Sequence, residues 1–490
     1  MEWLTILLCI TLSIPLIIVT LSSRHGGKNL PPGPPTLVFV AKMLRLRGPI
    51  YHFGSVLRSL HARYGPIISV RLGRTFVFVA DRRLTHSALI KGGGNFDSRP
   101  PPSEMFQLFL GGSMAASPLG AYFRLVRRNL HLQALQPSRV KLFAPERQRV
   151  CTAFVGSLRQ EAQQGGGIVT VRPLLSRCMF DLLACMCFGV RLGQEALDEI
   201  NQMQLQISDA VSRFPVFEGI FIYDMARRLV RKRWLALRKR QIELMLPLIR
   251  ATRQGERCYA DSLLELRVPE ENDRPLTDEE MVSLCSEFMI ASMDTSLALL
   301  EWIMADMVNH PEVQAKVYQE VRDKPELTDD DLRGSGMPYL KAVIMEGLRR
   351  HPVAHLVFPH GVQNDAEVGG YMVPKGSDIN FLVGDFGLDE TAWTAAREYQ
   401  PERFLHDDHE VVDITGSKEI KMAPFGAGRR MCPGYVLATL HAEYFIGSLV
   451  REFQWLPPSQ GVDMKEELAV AINMKNPLRA RIIPRPAAAA

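Results

Sequence analysis

Pairing is what the cysteines lack. The 490-residue chain carries eight, Cys9, Cys151, Cys178, Cys185, Cys187, Cys258, Cys285 and Cys432. They have neither zinc-finger spacing nor the density of a small disulfide framework. A disulfide-stapled secreted domain is excluded, and reduced thiols are the expectation. Cys185 and Cys187 are two apart, but no second Cys or His pair stands at finger distance, so they read as small buried residues. A strong net charge is also missing: the balance is +5, which fits an anionic membrane surface or an acidic partner protein. The most basic run, Arg227 to Arg240, is poor in base-stacking aromatics and belongs to no nucleic-acid module. No nucleic-acid partner is therefore expected; the run reads as a solvated helix face able to meet lipid headgroups. No G-x-G-x-x-G follows a strand, so the chain has no dinucleotide-binding unit of its own. Repeats and low-complexity tracts are absent except for the four terminal alanines.

Charge is missing altogether from Trp3 to Leu21. As a helix that stretch would be roughly 28 Å long, enough to cross a bilayer core once. Glu2 precedes it, and Arg24, His25 and Lys28 follow it, the reverse of a cleaved signal peptide. Residues 1–22 are therefore expected to form an uncleaved anchor, with Met1 in the lumen and the body of the chain in the cytosol. Residues 23–35, basic and then "PPGPP", read as a stiff extended hinge. One large globular domain, residues 36–486, and a disordered tail, 487–490, complete the expected organisation.

Most of that domain has helical period. "GPIISVRLGRTFVFVAD" alternates around a Gly-Arg turn as a β-hairpin would, and "VGGYMVPKGSDINFLV" predicts another strand pair. The fold class is therefore mainly α with small β-sheets (α+β). One helix is marked at both ends: Thr277 with Glu280 forms a capping box, and His310-Pro311 stops the pattern after Asn309. Inside it lies "ASMDTS", Ala291 to Ser296, where an acid and hydroxyls interrupt an apolar run. Back-bonding of Thr295 to the preceding turn is the plain explanation. A later helix, Tyr339 to His351, carries "EGLRRHP", with Glu346 and Arg349 at i, i+3 and able to meet on one face.

In order, the anchor with "PPGPP", the helix with "DT", "EGLR", "PERF" and "FGAGRRMCPG" resemble the motif series of the cytochrome P-450 family of haem-thiolate monooxygenases. The likeness covers essentially the whole chain, and Phe425, Gly428, Arg430, Cys432 and Gly434 match the F-x-x-G-x-R-x-C-x-G pattern in full. "FDSRPPP", "RRNL" and "YLKAVIMEGLRRHP" are most similar to the plant microsomal branch near families 77 and 89. The resemblance implies haem b (iron protoporphyrin IX) as cofactor, with Cys432 as axial ligand. Such a thiolate needs backbone N–H donors and little water. Gly426, Gly428 and Gly434 would supply the turn, with Pro433 in the first turn of a helix beginning just after Cys432.

The same resemblance implies that Arg430 pairs with a haem propionate and that Asp294 and Thr295 deliver protons to bound dioxygen. Phe123 stands where the family has tryptophan, four residues before Arg127, and His360 follows Pro359 where the family has arginine; both are expected at the propionates, His360 as a donor. Ser292 replaces a usual glycine beside the oxygen groove. Glu346, Arg349 and Arg403 match a buried ion cluster that supports the fold. The implied activity is insertion of one oxygen atom into an apolar small molecule, by hydroxylation or epoxidation, with electrons from NADPH through a separate reductase, at the endoplasmic reticulum membrane. The reductase is expected at Arg124, Arg128 and Arg429. Two alternatives stand beside it: an isomerase or dehydratase that needs no NADPH, and a catalytically silent haem-binding protein. Segments Ser103 to Ala116, Gln204 to Tyr223, the middle of the long helix and Val353 to Phe358 are expected to line the pocket.

Overall fold

The computed structural model describes residues 29–45, 53–213, 221–251, 257–334, 336–405, 412–468 and 471–486, without the side chains of residues 44, 45, 105, 212, 213 and 221–229. The expected anchor (1–22), the first part of the hinge (23–28) and the tail (487–490) lie outside the described residues. The remaining prolines of the hinge do not stand off as a connector. Pro32 accepts the Ser69 N–H at 2.9 Å, Pro31 accepts the Ser69 hydroxyl at 2.6 Å, and the segment is docked on the first strand.

Eight helices frame the site: α1 (Phe53–Tyr64), α2 (Ala121–Leu130), α3 (Val171–Phe188), α4 (Gln194–Arg213), α5 (Phe221–Arg250), α6 (Asp278–Asn309), α7 (Pro338–Arg350) and α8 (Tyr435–Glu452). The main sheet has four strands. β1 (Ile67–Leu72) and β2 (Arg74–Val79) make the expected hairpin around Gly73, and β3 (His360–Gly361) and β4 (Asp378–Phe381) complete the order β1-β2-β4-β3, with β4 parallel to β2. The second predicted strand pair is real as Ala366–Val368 against Tyr371–Val373. The rest of that stretch joins the main sheet as β4.

α6 is the axle. Its capping box is made as the sequence predicts: Thr277 Oγ1 accepts the Glu280 N–H at 3.2 Å and Glu280 Oε2 accepts the Thr277 N–H at 2.8 Å. From Leu297 to Val308 every residue is buried, which explains how a helix apolar enough to cross a membrane is instead the centre of a core packed against α3, α5, α7 and α8. Its polar members are satisfied: Glu301 holds Arg172 at 2.7 Å, and Trp302 donates to the Ile472 carbonyl at 2.8 Å while stacking on His351 at 4.5 Å. α7 approaches α6 so closely that a Cβ on Gly347 would lie 2.3 Å from Ile303. The glycine of "EGLR" is thus a packing requirement.

The basic run on α5 is only partly a solvated face. Arg238 is buried and donates to Gln241, the Glu279 carbonyl and Ser283, tying α5 to α6, whereas Arg231 and Arg240 pair at the surface with Glu104 and Glu199.

Candidate active site

Pro424 to Gly434 folds as a tight loop because its glycines allow it. Gly426 and Gly428 have φ of 70° and 74°, and a Cβ on Gly428 would lie 2.6 Å from the Leu89 carbonyl oxygen. Gly428–Arg430 then turn once as a 3-10 helix, and the Cys432 N–H donates to the Phe425 carbonyl at 2.9 Å. α8 begins at Tyr435 with Gly434 as its N-cap, so Pro433 stands before the cap rather than in the first turn. Cys432 is exposed, although protein packs around its sulfur. Burial pushes the thiol pKa up, and the Gly434 N–H and the Arg127 guanidinium oppose that by favouring the thiolate. The other six described cysteines are buried, and no cluster of His, Cys, Asp and Glu among the described residues is arranged to hold a metal ion.

Beside the loop three arginines converge. Phe123 is a platform for two of them, with the Arg430 and Arg127 guanidinium carbons 3.7 and 5.8 Å from its ring centroid. Arg127 donates to the Met431 carbonyl at 2.8 Å. Arg430 donates to the carbonyls of Asp97 (2.7 Å), Met114 (3.3 Å) and Ser117 (2.8 Å). The third, Arg99, was not foreseen as a site residue; it donates to the carbonyls of Ala115 (2.9 Å), Phe358 (3.2 Å) and Pro359 (2.9 Å). Burial, then the charge of Arg430, pushes Arg99 down to about 9, and burial takes Arg430 to about 10. Three half-buried cations gathered at one place fit a bound anion, and the two carboxylates of a haem answer that need. With a thiol that accepts a backbone N–H and a loop thinned by glycines, the residues present fit the group.

A cavity of about 390 Å³ lies along α6, with Phe76, Phe78, Phe106, Val357 and Phe358 in its wall. Of the segments expected to line it, Ser103 to Ala116, the middle of α6 and Val353 to Phe358 all do, and Gln204 to Tyr223 contributes Ile207, Ser208 and Val211 from α4. Asp378 and Asn380 of β4 complete the wall.

The cytochrome P450 family model matches residues 31–481. This chain is a cytochrome P450. It is 39% identical to cytochrome P450 89A9 of Arabidopsis thaliana over 97% of each chain, and 28% identical to geraniol 8-hydroxylase of Catharanthus roseus over 98% of this chain and 99% of that one. A solved zebrafish cytochrome P450 with abiraterone superposes with a TM-score of 0.73 at 21% identity, covering 89% of this chain and all of the other. The fold, the monooxygenase class and the haem cofactor expected from the motifs all follow from this membership.

Within this P450, His360 departs from its expected part. It is buried, donates Nδ1–H to the Phe96 carbonyl, and is pushed down to about 3 by burial and then by Arg99. It is neutral with its one proton spent, so the other ring nitrogen can only accept, and an anion finds no donor there. Arg99, anchored on the adjoining Pro359 carbonyl, brings a guanidinium to this place from another segment. Its signal was in the sequence, as the arginine of "FDSRPPP", but nothing in the linear order ties residue 99 to residue 360.

Asp294 and Thr295, expected to act as a pair, point to different places. Thr295 lines the large cavity and its hydroxyl donates to the Ala291 carbonyl at 2.6 Å; the back-bond is present, and the oxygen keeps acceptor capacity. Asp294 lies against Phe180, Asn201, Gln204 and Met293, and burial pushes its carboxyl up to about 6. Ser292 is half-buried and outside the cavity wall, which Ala291 forms instead. The ion cluster is assembled in full: Arg349 is bidentate to Glu346 at 2.6 and 2.8 Å, and Arg403 reaches the same carboxylate at 3.3 Å.

Proposed function

We propose that this P450 inserts one oxygen atom from dioxygen into an apolar small molecule, by hydroxylation or epoxidation, using electrons from NADPH delivered by a separate reductase. The observation that carries the reading is the glycine-built Cys432 loop, with the Gly434 N–H and Arg127 opposing the upward push of burial on its thiol, in a chain that also presents Thr295 to an apolar cavity. Haem, when bound, supplies the iron that activates dioxygen. In this reading Cys432 would hold it through its thiolate, Arg127, Arg430 and Arg99 would take its carboxylates, and Asp294 and Thr295 would move protons. The plant relatives support a small apolar metabolite as substrate. Arg124, Arg128 and Arg429 are exposed and form the surface offered to the reductase. Residues 1–22 would anchor the protein once in the endoplasmic reticulum membrane, with the haem domain on the cytosolic side.

A reduced carbon-monoxide difference spectrum of the expressed protein tests the central assignment. A thiolate-type band that is lost in Cys432→Ser supports it; a band retained in that variant, or no such band in the wild type, overturns it. Reductase-supported turnover over a panel of small lipids and phenolics then separates oxygen insertion from an NADPH-independent isomerisation or dehydration and from a silent haem protein.

A further inference from the structure

The large cavity is apolar but not electrically neutral. Its charged wall residues among the described residues are Glu287 and Asp378, both carboxylates, and no Lys or Arg belongs to the wall. Asp378 is paired with Arg74 at 3.3 Å. Glu287 accepts the Met114 N–H at 2.8 Å and the Ala115 N–H at 2.7 Å, one on each oxygen, and each oxygen keeps a second acceptor site. Arg99 and Arg430 lie close enough for their charges to act on Glu287, but they donate to carbonyls of the surrounding loops. The open side of Glu287 is therefore the cavity. Along α6, Glu287, Ile290, Ala291 and Thr295 all belong to the wall, at i, i+3, i+4 and i+8, which is one helical stripe. The carboxylate and the threonine hydroxyl end that stripe, about 12 Å apart in helical rise, with the small side chain of Ala291 between them.

We propose that Glu287 is the polar anchor of the substrate site: it takes an O–H or N–H group of an amphipathic substrate and sets that group about 12 Å along α6 from Thr295, while carboxylic acids are turned away by the charge of Glu287. The inference rests on the monooxygenase reading and names its substrate class. The substrate is a molecule with an apolar body and a hydrogen-bond donor at one end, a phenol, alcohol or amide N–H rather than a fatty acid. Its oxidised carbon is remote from that donor.

Three probes of one shape decide it: 4-nonylphenol, its methyl ether, and 4-nonylbenzoic acid, titrated into the full-length haem-loaded protein at pH 8 by optical difference spectroscopy and by calorimetry. The phenol is expected to bind about tenfold more tightly than the ether, the size of one hydrogen bond to a charged group, and the acid most weakly. Glu287→Leu should erase the gap between phenol and ether, and Glu287→Gln, which keeps one acceptor for the loop, should narrow it. Equal affinities for phenol and ether in the wild type, tightest binding of the acid, or a parallel loss for all three probes with the gap preserved in both variants would overturn the anchor and leave Glu287 a tether of the loop. The carbon-monoxide spectrum of the same samples keeps the two readings apart: its thiolate band speaks for the enzyme class, whereas the calorimetric ranking of the probes speaks for Glu287 whether or not that band appears.

Discussion

Asp294 is a carboxyl in largely apolar surroundings, one residue from a hydroxyl on the cavity wall. Burial alone takes it to about 6, so it holds a proton through the mildly acidic range and has lost it by neutrality. If it gives a proton during turnover, kcat falls as pH rises through about 6; Asp294→Asn should flatten that limb and slow turnover about a hundredfold, and steady-state rates from pH 5 to 8 check both. Glu287 offers a test through stability. Burial is the largest cause that moves its carboxyl from 4.5 up to about 7, so between those values the native state binds more protons than the unfolded state and stability is lost as pH rises. The expected loss is on the order of 2 kcal/mol. Glu287→Gln should therefore lose less melting temperature than the wild type between pH 5 and 8, as thermal unfolding at several pH values would reveal. At this scale the sequence was most legible where one residue type has one use, as with Cys432 between its glycines. It was least legible where a role depends on which side chain arrives from elsewhere. Arg99 reaches the Pro359 carbonyl across a separation no spacing rule records, and His360 spends its proton on Phe96 for the same reason.

Among the elements, the α6–α7 pair is the most constrained. Gly347→Ala would drive a methyl group to within 2.3 Å of Ile303 and should cost about 1–3 kcal/mol by overpacking. Adding Ile303→Ala should restore part of that loss if the contact is the cause, and calorimetric melting of both variants would check it. The residue just before Gly347, Glu346, is wholly buried between Arg349 and Arg403. Removing it leaves two cations without their anion, at about 3–5 kcal/mol; Glu346→Ala should purify with little haem, and a stable, haem-replete variant would contradict that. The ends of α6 were readable because caps are local chemistry, and the β1–β2 hairpin because alternation around a turn is local too. The parallel pairing of β4 with β2 was not, since it joins segments about three hundred residues apart and depends on the whole core between them.

For the whole molecule, the surface proposed to meet the reductase is an electrostatic matter. Arg124 and Arg128 are exposed on α2, and Arg429 adds a third charge although it pairs with Asp97 at 3.1 Å. Arg124→Glu with Arg128→Glu should raise the reductase concentration needed for half-maximal turnover at low salt, and the difference from wild type should shrink as ionic strength rises. An unchanged requirement at low salt would place the partner elsewhere. A different consequence follows from the five residues Ser113 to Ser117. Two of their N–H groups are held by Glu287 on the cavity side, and their carbonyls by Arg99 and by Arg430 of the cysteine loop. This short strip is laced on one edge to the helix that walls the cavity and on the other to the loop that carries the thiol, so it works as a drawstring. The two halves of the site are thus joined by a piece of backbone that belongs to neither.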